Sequence, residues 1–347
     1  MPAHITHELF AKASFRKAFG KEDLLGLDRH RHYWVFGAQG PDFFLHNHRT
    51  KPSGLVFGKL LHTDGYGTFV ANLLDCAVDE GHGLDSELGA FIAGFVTHAV
   101  LDRWTHPFIN YFAGWVEPDQ PQSTRFYNCH AFLERIIDVL LLKIMADTDI
   151  SEYDFFEHVN FGPDLPPILL RAIVKALEST FVEFEGHRYT GVRVGNAYSD
   201  TIGFYDFTNP IDEGHLRHAF ERDGGGADPS RRFLALFHPR QLPDLDYLNG
   251  AHKSWNHPGD SSERHSESFV DLFERAAEEV VTPLLTVGAV LAGNIPASDA
   301  IETIGNQNLS DGSQRKRRRK LDLIDPLPLD GVLASFYEAV GGSETGT

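Results

Sequence analysis

The segment Gly94-Phe-Val-Thr-His98-Ala-Val-Leu-Asp102-Arg-Trp-Thr-His106-Pro107 places three polar side chains four residues apart in an otherwise almost entirely apolar run. A spacing of four puts His98, Asp102 and His106 on one face of a helix. A carboxylate buried in such a helix costs free energy unless a positive group holds it. A metal ion is the simplest explanation, so the segment predicts a buried helix that carries metal ligands.

The same spacing recurs in His130-Ala-Phe-Leu-Glu134. Apolar residues dominate the following stretch up to position 141, which predicts a second buried helix. Two helices that each present a histidine and a carboxylate are typical of a site with several metal ions.

Helical periodicity of apolar residues predicts an all-α protein, because alternating runs typical of strands are scarce. The predicted helices cover residues 6–19, 54–78, 85–102, 130–147, 166–184 and 266–291. Long loops rich in Gly, Pro, His and Asp cover 27–53 and 110–128, and we expect them to line a cleft at the helix ends. The stretch 186–250 is predicted to be irregular.

Composition excludes several classes of protein. The chain has 347 residues, 42% hydrophobic side chains and a formal net charge of -18, which argues against a protein that grips nucleic acid tightly, although nucleic acid remains possible as a substrate. Two cysteines, Cys76 and Cys129, imply no disulfide framework. The start lacks the features of a secretory signal, and the apolar stretch 280–293 is shorter than the about 20 residues of a membrane span. We therefore expect a cytoplasmic protein without a transmembrane segment.

Further candidate ligands stand in apolar or turn-forming contexts. His7 and His62 lie in apolar surroundings, and Asp42 follows the turn Gly37-Ala-Gln-Gly-Pro41. Histidine and carboxylate ligands without cysteine favour a catalytic over a structural zinc site. Zinc acidifies bound water and neutralises charge on phosphoryl oxygens, which predicts phosphoester hydrolysis.

The motifs in this order resemble those of the zinc-dependent phospholipase C family. They are His7, Gly40-Pro41-Asp42-Phe43-Phe44, Leu61-His62, His98-xxx-Asp102-xxx-His106 and His130-xxx-Glu134. This family is shared by bacterial phosphatidylcholine-hydrolysing enzymes, the amino-terminal domain of glycosylphosphatidylinositol phospholipase D and, more distantly, P1/S1 nucleases. The resemblance covers roughly the first half of the chain. It implies a multi-helix bundle of the phospholipase C/P1 nuclease type with long loops around a metal cleft.

The resemblance also implies which residues hold two or three zinc ions. Asp42, His62, His98 and Asp102 would hold one ion, and His106, His130 and Glu134 would hold a second. Asp102 would bridge to a third ion bound by His7 and the amino terminus. Asp42 would also act as the general base or orient the attacking water.

Two departures limit what the resemblance transfers. The secreted bacterial enzymes gain their zinc-binding amino terminus by signal cleavage, whereas this chain offers Met1 or Pro2. His4 either substitutes for the terminus or lies in solvent. The spacing from Asp102 to His106 is shorter than in the secreted phospholipases and closer to that of the phospholipase D form. The resemblance therefore does not identify the substrate.

Three functions follow as hypotheses. The leading one is hydrolysis of phosphodiesters in phospholipids or lipid-like molecules by metal-activated water, and the second is a nuclease or nucleotidase on the same scaffold. In the third, the metal cluster only braces the helices of a non-catalytic protein. Asp138, one turn beyond Glu134, either supports a ligand through a hydrogen bond or lies on a solvated face.

We predict three regions along the chain. Residues 1–185 form the helical zinc-binding catalytic domain, and residues 186–295 form a helical and irregular extension packed on it. Residues 296–347 form a partly ordered tail with the basic run 315–320, which either touches anionic lipid or nucleic acid or stays solvated.

Overall fold

The computed structural model describes residues 4–117, 119–226, 232–310 and 322–342. Within these ranges the protein is all-α apart from one short antiparallel hairpin, β1 (Trp255–His257) with β2 (Asp260–His265), in which Trp255 pairs with His265. The helices are α1 (His4–Asp28), α2 (Arg31–Ala38), α3 (Asp42–Leu45), α4 (Leu55–Thr63), α5 (Tyr66–Asp79), α6 (Glu87–Ala113), α7 (Cys129–Ala146), α8 (Phe155–Val159), α9 (Pro167–Thr180), α10 (Thr190–Phe207), α11 (Glu213–Arg222), α12 (Phe269–Glu279), α13 (Val281–Leu291), α14 (Asp299–Ile304) and α15 (Leu329–Gly342).

Helix α6 lies at the centre of the fold, because every residue from 88 to 102 is buried. Helices α1, α2, α5, α7, α12 and α13 pack around it. Its first turn is capped by Ser86, whose hydroxyl accepts a hydrogen bond from the Gly89 amide at 3.0 Å. The helix continues past Pro107 to Ala113. It therefore extends beyond residue 102, where the predicted helix ended.

Helices α2 and α6 approach each other closely through two glycines. A methyl group at Gly37 would lie 2.2 Å from the carbonyl oxygen of Phe91, and one at Gly94 would lie 2.1 Å from the carbonyl oxygen of Trp34. Because neither glycine carries a side chain, the two backbones come into contact. The turn that follows α2 is therefore held against the middle of α6.

The other predicted helices are present with different ends, and two of them are divided. The predicted helix 54–78 breaks at Asp64 and Gly65, where the glycine has a φ of +83°. Glycine adopts this left-handed conformation without strain, and the break directs α4 and α5 along different paths. The predicted helix 266–291 is formed by α12 and α13.

Helices also occupy two stretches predicted to be loop or irregular. Helices α2 and α3 lie within 27–53, and α10 and α11 lie within 186–250. Helix α2 has eight residues and no side-chain cap, and α10 contains three glycines, which lower intrinsic helix propensity. Both helices depend on buried side chains such as Trp34 and Phe36 in α2 and Tyr198 in α10. Tertiary packing therefore forms helices that local sequence signals did not reveal.

Near the carboxyl end, α14 and α15 lie in the predicted tail, whereas the basic run 315–320 falls outside the described residues. Among the described residues, no helix combines the length and apolar character needed to cross a membrane.

Candidate metal centre

The structure brings together all eight side chains predicted as metal ligands. Helix α6 supplies three of them and α7 supplies two, while α1, α3 and α4 supply one each. They form three groups in which the possible ligand atoms lie within 4.8 Å of one another: His7, Asp42 and His98; His62, His98 and Asp102; and His106, His130 and Glu134. The third group coincides with the set that the resemblance assigned to the second zinc. The first two groups share His98 and interpenetrate.

Asp102 lies at the middle of the cluster. One carboxylate oxygen, Oδ1, lies 3.3 Å from Nε2 of His7, and the other, Oδ2, lies 3.1 Å from Nε2 of His98. Oδ2 also lies 3.6 Å from Nδ1 of His106. A carboxylate whose two oxygens face different histidines has the arrangement needed to bridge two cations.

Asp42 begins α3 and faces the same centre from the opposite side. Its Oδ1 lies 2.8 Å from Nε2 of His62, and its Oδ2 lies 3.7 Å from Nε2 of His98. His62 lies in the last turn of α4. Two short neighbouring helices thus direct a carboxylate and an imidazole at a ligand on α6.

Glu134 forms the other end of the cluster with two histidines from different helices. Its Oε1 lies 3.1 Å from Nε2 of His130 and 3.8 Å from Nε2 of His106. His130 and Glu134 are four residues apart on α7, so they share a helical face.

Carbonyl oxygens fix the orientation of three histidine rings. Nδ1 of His62 donates to the carbonyl of Gly58 at 2.7 Å, Nδ1 of His98 to that of Ala38 at 3.2 Å, and Nδ1 of His106 to that of Leu309 at 2.8 Å. Because a carbonyl oxygen only accepts hydrogen bonds, each of these rings carries its proton on Nδ1. When such a ring is neutral, its Nε2 presents a lone pair, as metal-binding histidines do.

Several buried atoms at the centre have no hydrogen-bond partner. They are Nδ1 of His7, both carboxylate oxygens of Asp42, Nε2 of His98, Oδ2 of Asp102 and Oε2 of Glu134. They belong to side chains of the three ligand groups. Buried polar groups are nearly always partnered, and an orphaned one costs about 1–3 kcal/mol. Divalent cations held between the imidazoles and carboxylates of the three groups would supply the missing partners, so the residues fit metal ions.

The charges of the cluster shift the pKa values of its members. Burial alone would raise the pKa of Asp42, but His98 and His62 outweigh it and hold the pKa of this carboxyl well below its usual range. Burial likewise opposes ionisation of Asp102, yet His106 and His98 hold its pKa well below the ordinary value. Both carboxyl groups are therefore ionised and available as ligands at neutral pH.

Gly40 allows Asp42 to approach His98. Its φ is +54°, and a methyl group there would lie 2.2 Å from Cγ of the His98 ring. Both the left-handed backbone and the close contact require glycine at this position. The turn predicted from the sequence before Asp42 is therefore pressed directly onto a ligand ring.

Helix α10 holds the loop between α3 and α4 in place. Oδ2 of Asp200 accepts hydrogen bonds from the amides of Arg49 and Thr50 at 2.7 and 3.0 Å and from Nδ2 of Asn47 at 2.9 Å. Oδ1 of Asn47 in turn accepts from the amide of Gly54 at 2.6 Å, just before α4. This buried network sets the relative position of Asp42 and His62. It depends on long-range contacts, which leave no local signal in the sequence.

The segment from 305 to 310 crosses the centre as a strap. The carbonyl of Leu309 accepts from His106, and the amide of Leu309 donates to the carbonyl of His62 at 2.9 Å. Nδ2 of Asn110 donates to the carbonyl of Ser310 at 3.2 Å, and its Oδ1 lies 3.2 Å from Nδ1 of His130. One short segment thereby connects three ligand histidines from three helices.

A fourth group of possible ligands, His4, Asp138 and His238, lies behind the centre and is fully buried. Its Asp138 accepts from the amide and hydroxyl of Thr6 at 2.7 and 2.8 Å and lies 3.0 Å from Nε2 of His238. The guanidinium of Arg135 lies 2.9 Å from Nδ1 of His4 and 3.4 Å from Oδ2 of Asp138.

Arg135 thus supplies the positive charge of this group, which connects the start of α1 to α7. His4 and Asp138 are not in solvent, and His238, for which the sequence offered no local signal, completes the network.

A cavity of about 650 Å³ opens beside the centre. Three of the ligand histidines lie in its wall: His62, His106 and His130. A molecule in the cavity therefore has direct access to the cluster. Comparisons of the chain with protein families, with curated proteins and with solved structures find no match, so function is inferred from the geometry of this centre.

Proposed function

We propose that this protein is a zinc-dependent hydrolase that cleaves phosphodiester bonds of phospholipids or lipid-like molecules. The observation that carries the proposal is the convergence of eight histidine and carboxylate side chains, six of them buried, beside an open cavity. Several of their buried polar atoms have no hydrogen-bond partner. Zinc ions bound there would acidify water and neutralise the charge that develops on phosphoryl oxygens.

The residues divide into three sets, one for each zinc ion. Asp42, His62, His98 and Asp102 would hold one ion, and His106, His130 and Glu134 would hold a second. Asp102 would bridge to a third ion bound by His7. The amino terminus, which the resemblance also assigns to that ion, lies outside the described residues. Five imidazoles and three carboxylates without a thiolate are ligands that zinc accepts in catalytic sites.

Asp42 has the clearest role in the reaction itself. Its carboxylate stays ionised because His98 and His62 hold its pKa low, which makes it a good hydrogen-bond acceptor and a weak base. We therefore propose that Asp42 orients the attacking water and does not accept a proton from it. Asn110 and Leu309 act through the histidines that they orient and are positioning residues.

Metal analysis combined with one substitution tests the proposal. Protein purified without added metal is expected to contain more than one zinc ion per chain by inductively coupled plasma analysis. Asp42→Asn keeps the size of the side chain but removes its charge. This variant is expected to retain the zinc ion bound by His106, His130 and Glu134 and to lower kcat by roughly 10²- to 10⁴-fold. The matched control is Asp75→Asn, at an exposed position on α5.

Three substrates separate the proposed function from its alternatives: phosphatidylcholine vesicles, bis-p-nitrophenyl phosphate and single-stranded nucleic acid. Cleavage of the nucleic acid in preference to both others would replace the proposal by a nuclease. Unfolding on chelation without turnover of any of the three would leave a structural role for the metal. Absence of bound zinc, or an undiminished rate in Asp42→Asn, would refute the proposal.

A further inference from the structure

We propose that the cavity beside the metal centre selects phosphoesters whose non-reacting group is apolar and ends in a negative charge, with Lys59 as the residue that recognises this charge. The inference rests on the proposed function and narrows its substrate class. It concerns the part of the substrate that points away from the metal ligands.

The wall of the cavity combines apolar surface with uncharged polar groups. Leu45, Trp115, Val116 and Phe126 supply the apolar part, and Thr63, Asn110, Asn128 and Ser310 supply hydroxyl, amide and carbonyl groups. Such a wall accommodates an aliphatic or aromatic group and offers a few hydrogen bonds to orient it. A cavity of about 650 Å³ is large enough for a drug-sized molecule.

Lys59 supplies the charge of this wall. It precedes His62 by three residues on α4, so both side chains lie on the same helical face. The lysines that form ion pairs among the described residues are Lys17, Lys143 and Lys175. Lys59 is exposed and lies in the wall of the cavity, and no carboxylate in the described part of the chain forms an ion pair with it.

A cationic group finds a poorer environment in the same cavity. The lining contains no Asp or Glu side chain among the described residues. Aromatic rings can bind a quaternary ammonium group, but the guanidinium of Arg125 already lies 4.7 Å from the centre of the Phe126 ring. Lys59 and Arg125 both repel a further cation, although the whole chain carries a formal net charge of -18. The local charge therefore favours an anion against the overall charge of the protein.

Two substrates that share a propyl chain but end in groups of opposite charge test this selection. Both are p-nitrophenyl phosphodiesters, one with a 3-carboxypropyl group as the second ester and the other with a 3-trimethylammoniopropyl group. The wild-type protein is expected to show a kcat/KM about five- to tenfold higher for the carboxylate, mainly through KM. Lys59→Met is expected to remove most of this preference, and Lys59→Glu is expected to invert it. Lys12→Met, at an exposed position on α1, is the matched control and should leave it unchanged.

A binding measurement separates this inference from the proposed function. Titration calorimetry of the zinc-loaded protein with 4-phenylbutyrate and with 3-phenylpropyltrimethylammonium is expected to show the same order of affinity, inverted by Lys59→Glu. Charge-selective binding without hydrolysis would overturn the proposed function and keep the anion-selective cavity. Hydrolysis with equal kcat/KM for both diesters, or a preference unchanged in Lys59→Glu, would overturn the inference and keep the hydrolase.

Discussion

Substitution of Gly40 by alanine tests whether the turn before Asp42 builds the metal centre. The added methyl group would lie 2.2 Å from Cγ of His98, whereas ordinary contacts begin at 3.4 Å. The ring would have to retreat by about 1.2 Å, the difference between these distances, while metal–ligand distances tolerate only about 0.2 Å. We therefore expect loss of zinc from the set that contains His98.

The energetic cost has two parts, which a matched variant separates. A left-handed conformation costs a non-glycine residue about 1–2 kcal/mol. Overpacking against the ring adds about 1–3 kcal/mol. Gly81 has a similar φ of +75° with no atom within 4 Å of the position of an added methyl group. Gly81→Ala therefore carries the backbone cost alone.

The assay is zinc titration together with urea denaturation of both variants. Gly40→Ala is expected to lose zinc affinity by about 100-fold or more at the affected set and to unfold more easily than Gly81→Ala. The group of His106, His130 and Glu134 should keep its ion, because no atom of it is among the three nearest to the added methyl group. Equal zinc content and equal stability in the two variants would refute the proposed role of this turn.

Three further predictions concern stability. Burial lowers the pKa of His46 from 6.5 to about 3. As the pH drops below 6.5, the unfolded chain binds a proton at this histidine while the folded protein does not. The free energy of unfolding therefore falls, by about 2 kcal/mol at pH 5. Urea denaturation should show that the free energy of unfolding of His46→Gln lacks this fall at low pH. The same pH dependence in the variant and the wild type would contradict the prediction. Asp138→Asn removes one partner of a buried ionic network and should lower the free energy of unfolding by about 3–5 kcal/mol; a change under about 0.5 kcal/mol would show that the network is dispensable. Chelation of zinc present at about 1,000 times its Kd should cost about 4 kcal/mol, seen as a lower Tm in calorimetry, whereas an unchanged Tm would mean that the centre holds no metal.

The candidate centre was predictable from the sequence to an unusual extent. The spacing of four in α6 and α7 survives in the folded protein, because a helix converts fixed sequence intervals into a shared face regardless of its surroundings. The same holds for the turn at Gly40, whose glycine was visible before the structure. The apolar or turn-forming contexts of His7, Asp42 and His62 indicated them as ligands, and the resemblance assigned each to an ion. The structure places all three at the same centre.

The contacts that hold the ligands in place could not be predicted in this way. Asp200, Leu309 and His238 act from helices or loops 100 or more residues away from the groups they contact. Nothing in their local sequence distinguishes them from other polar or apolar residues. Helix α10, which carries Asp200, was not predicted as a helix at all.

The sequence alone determined the helical class of the fold and the types of side chain available to bind metal, because both follow from local periodicity and residue chemistry. Only the tertiary structure decided which of those side chains meet, how each imidazole is oriented by a distant carbonyl, and where a cavity opens beside them. These properties depend on packing between segments far apart in the chain, and such packing is governed by long-range contacts that no single stretch of sequence encodes.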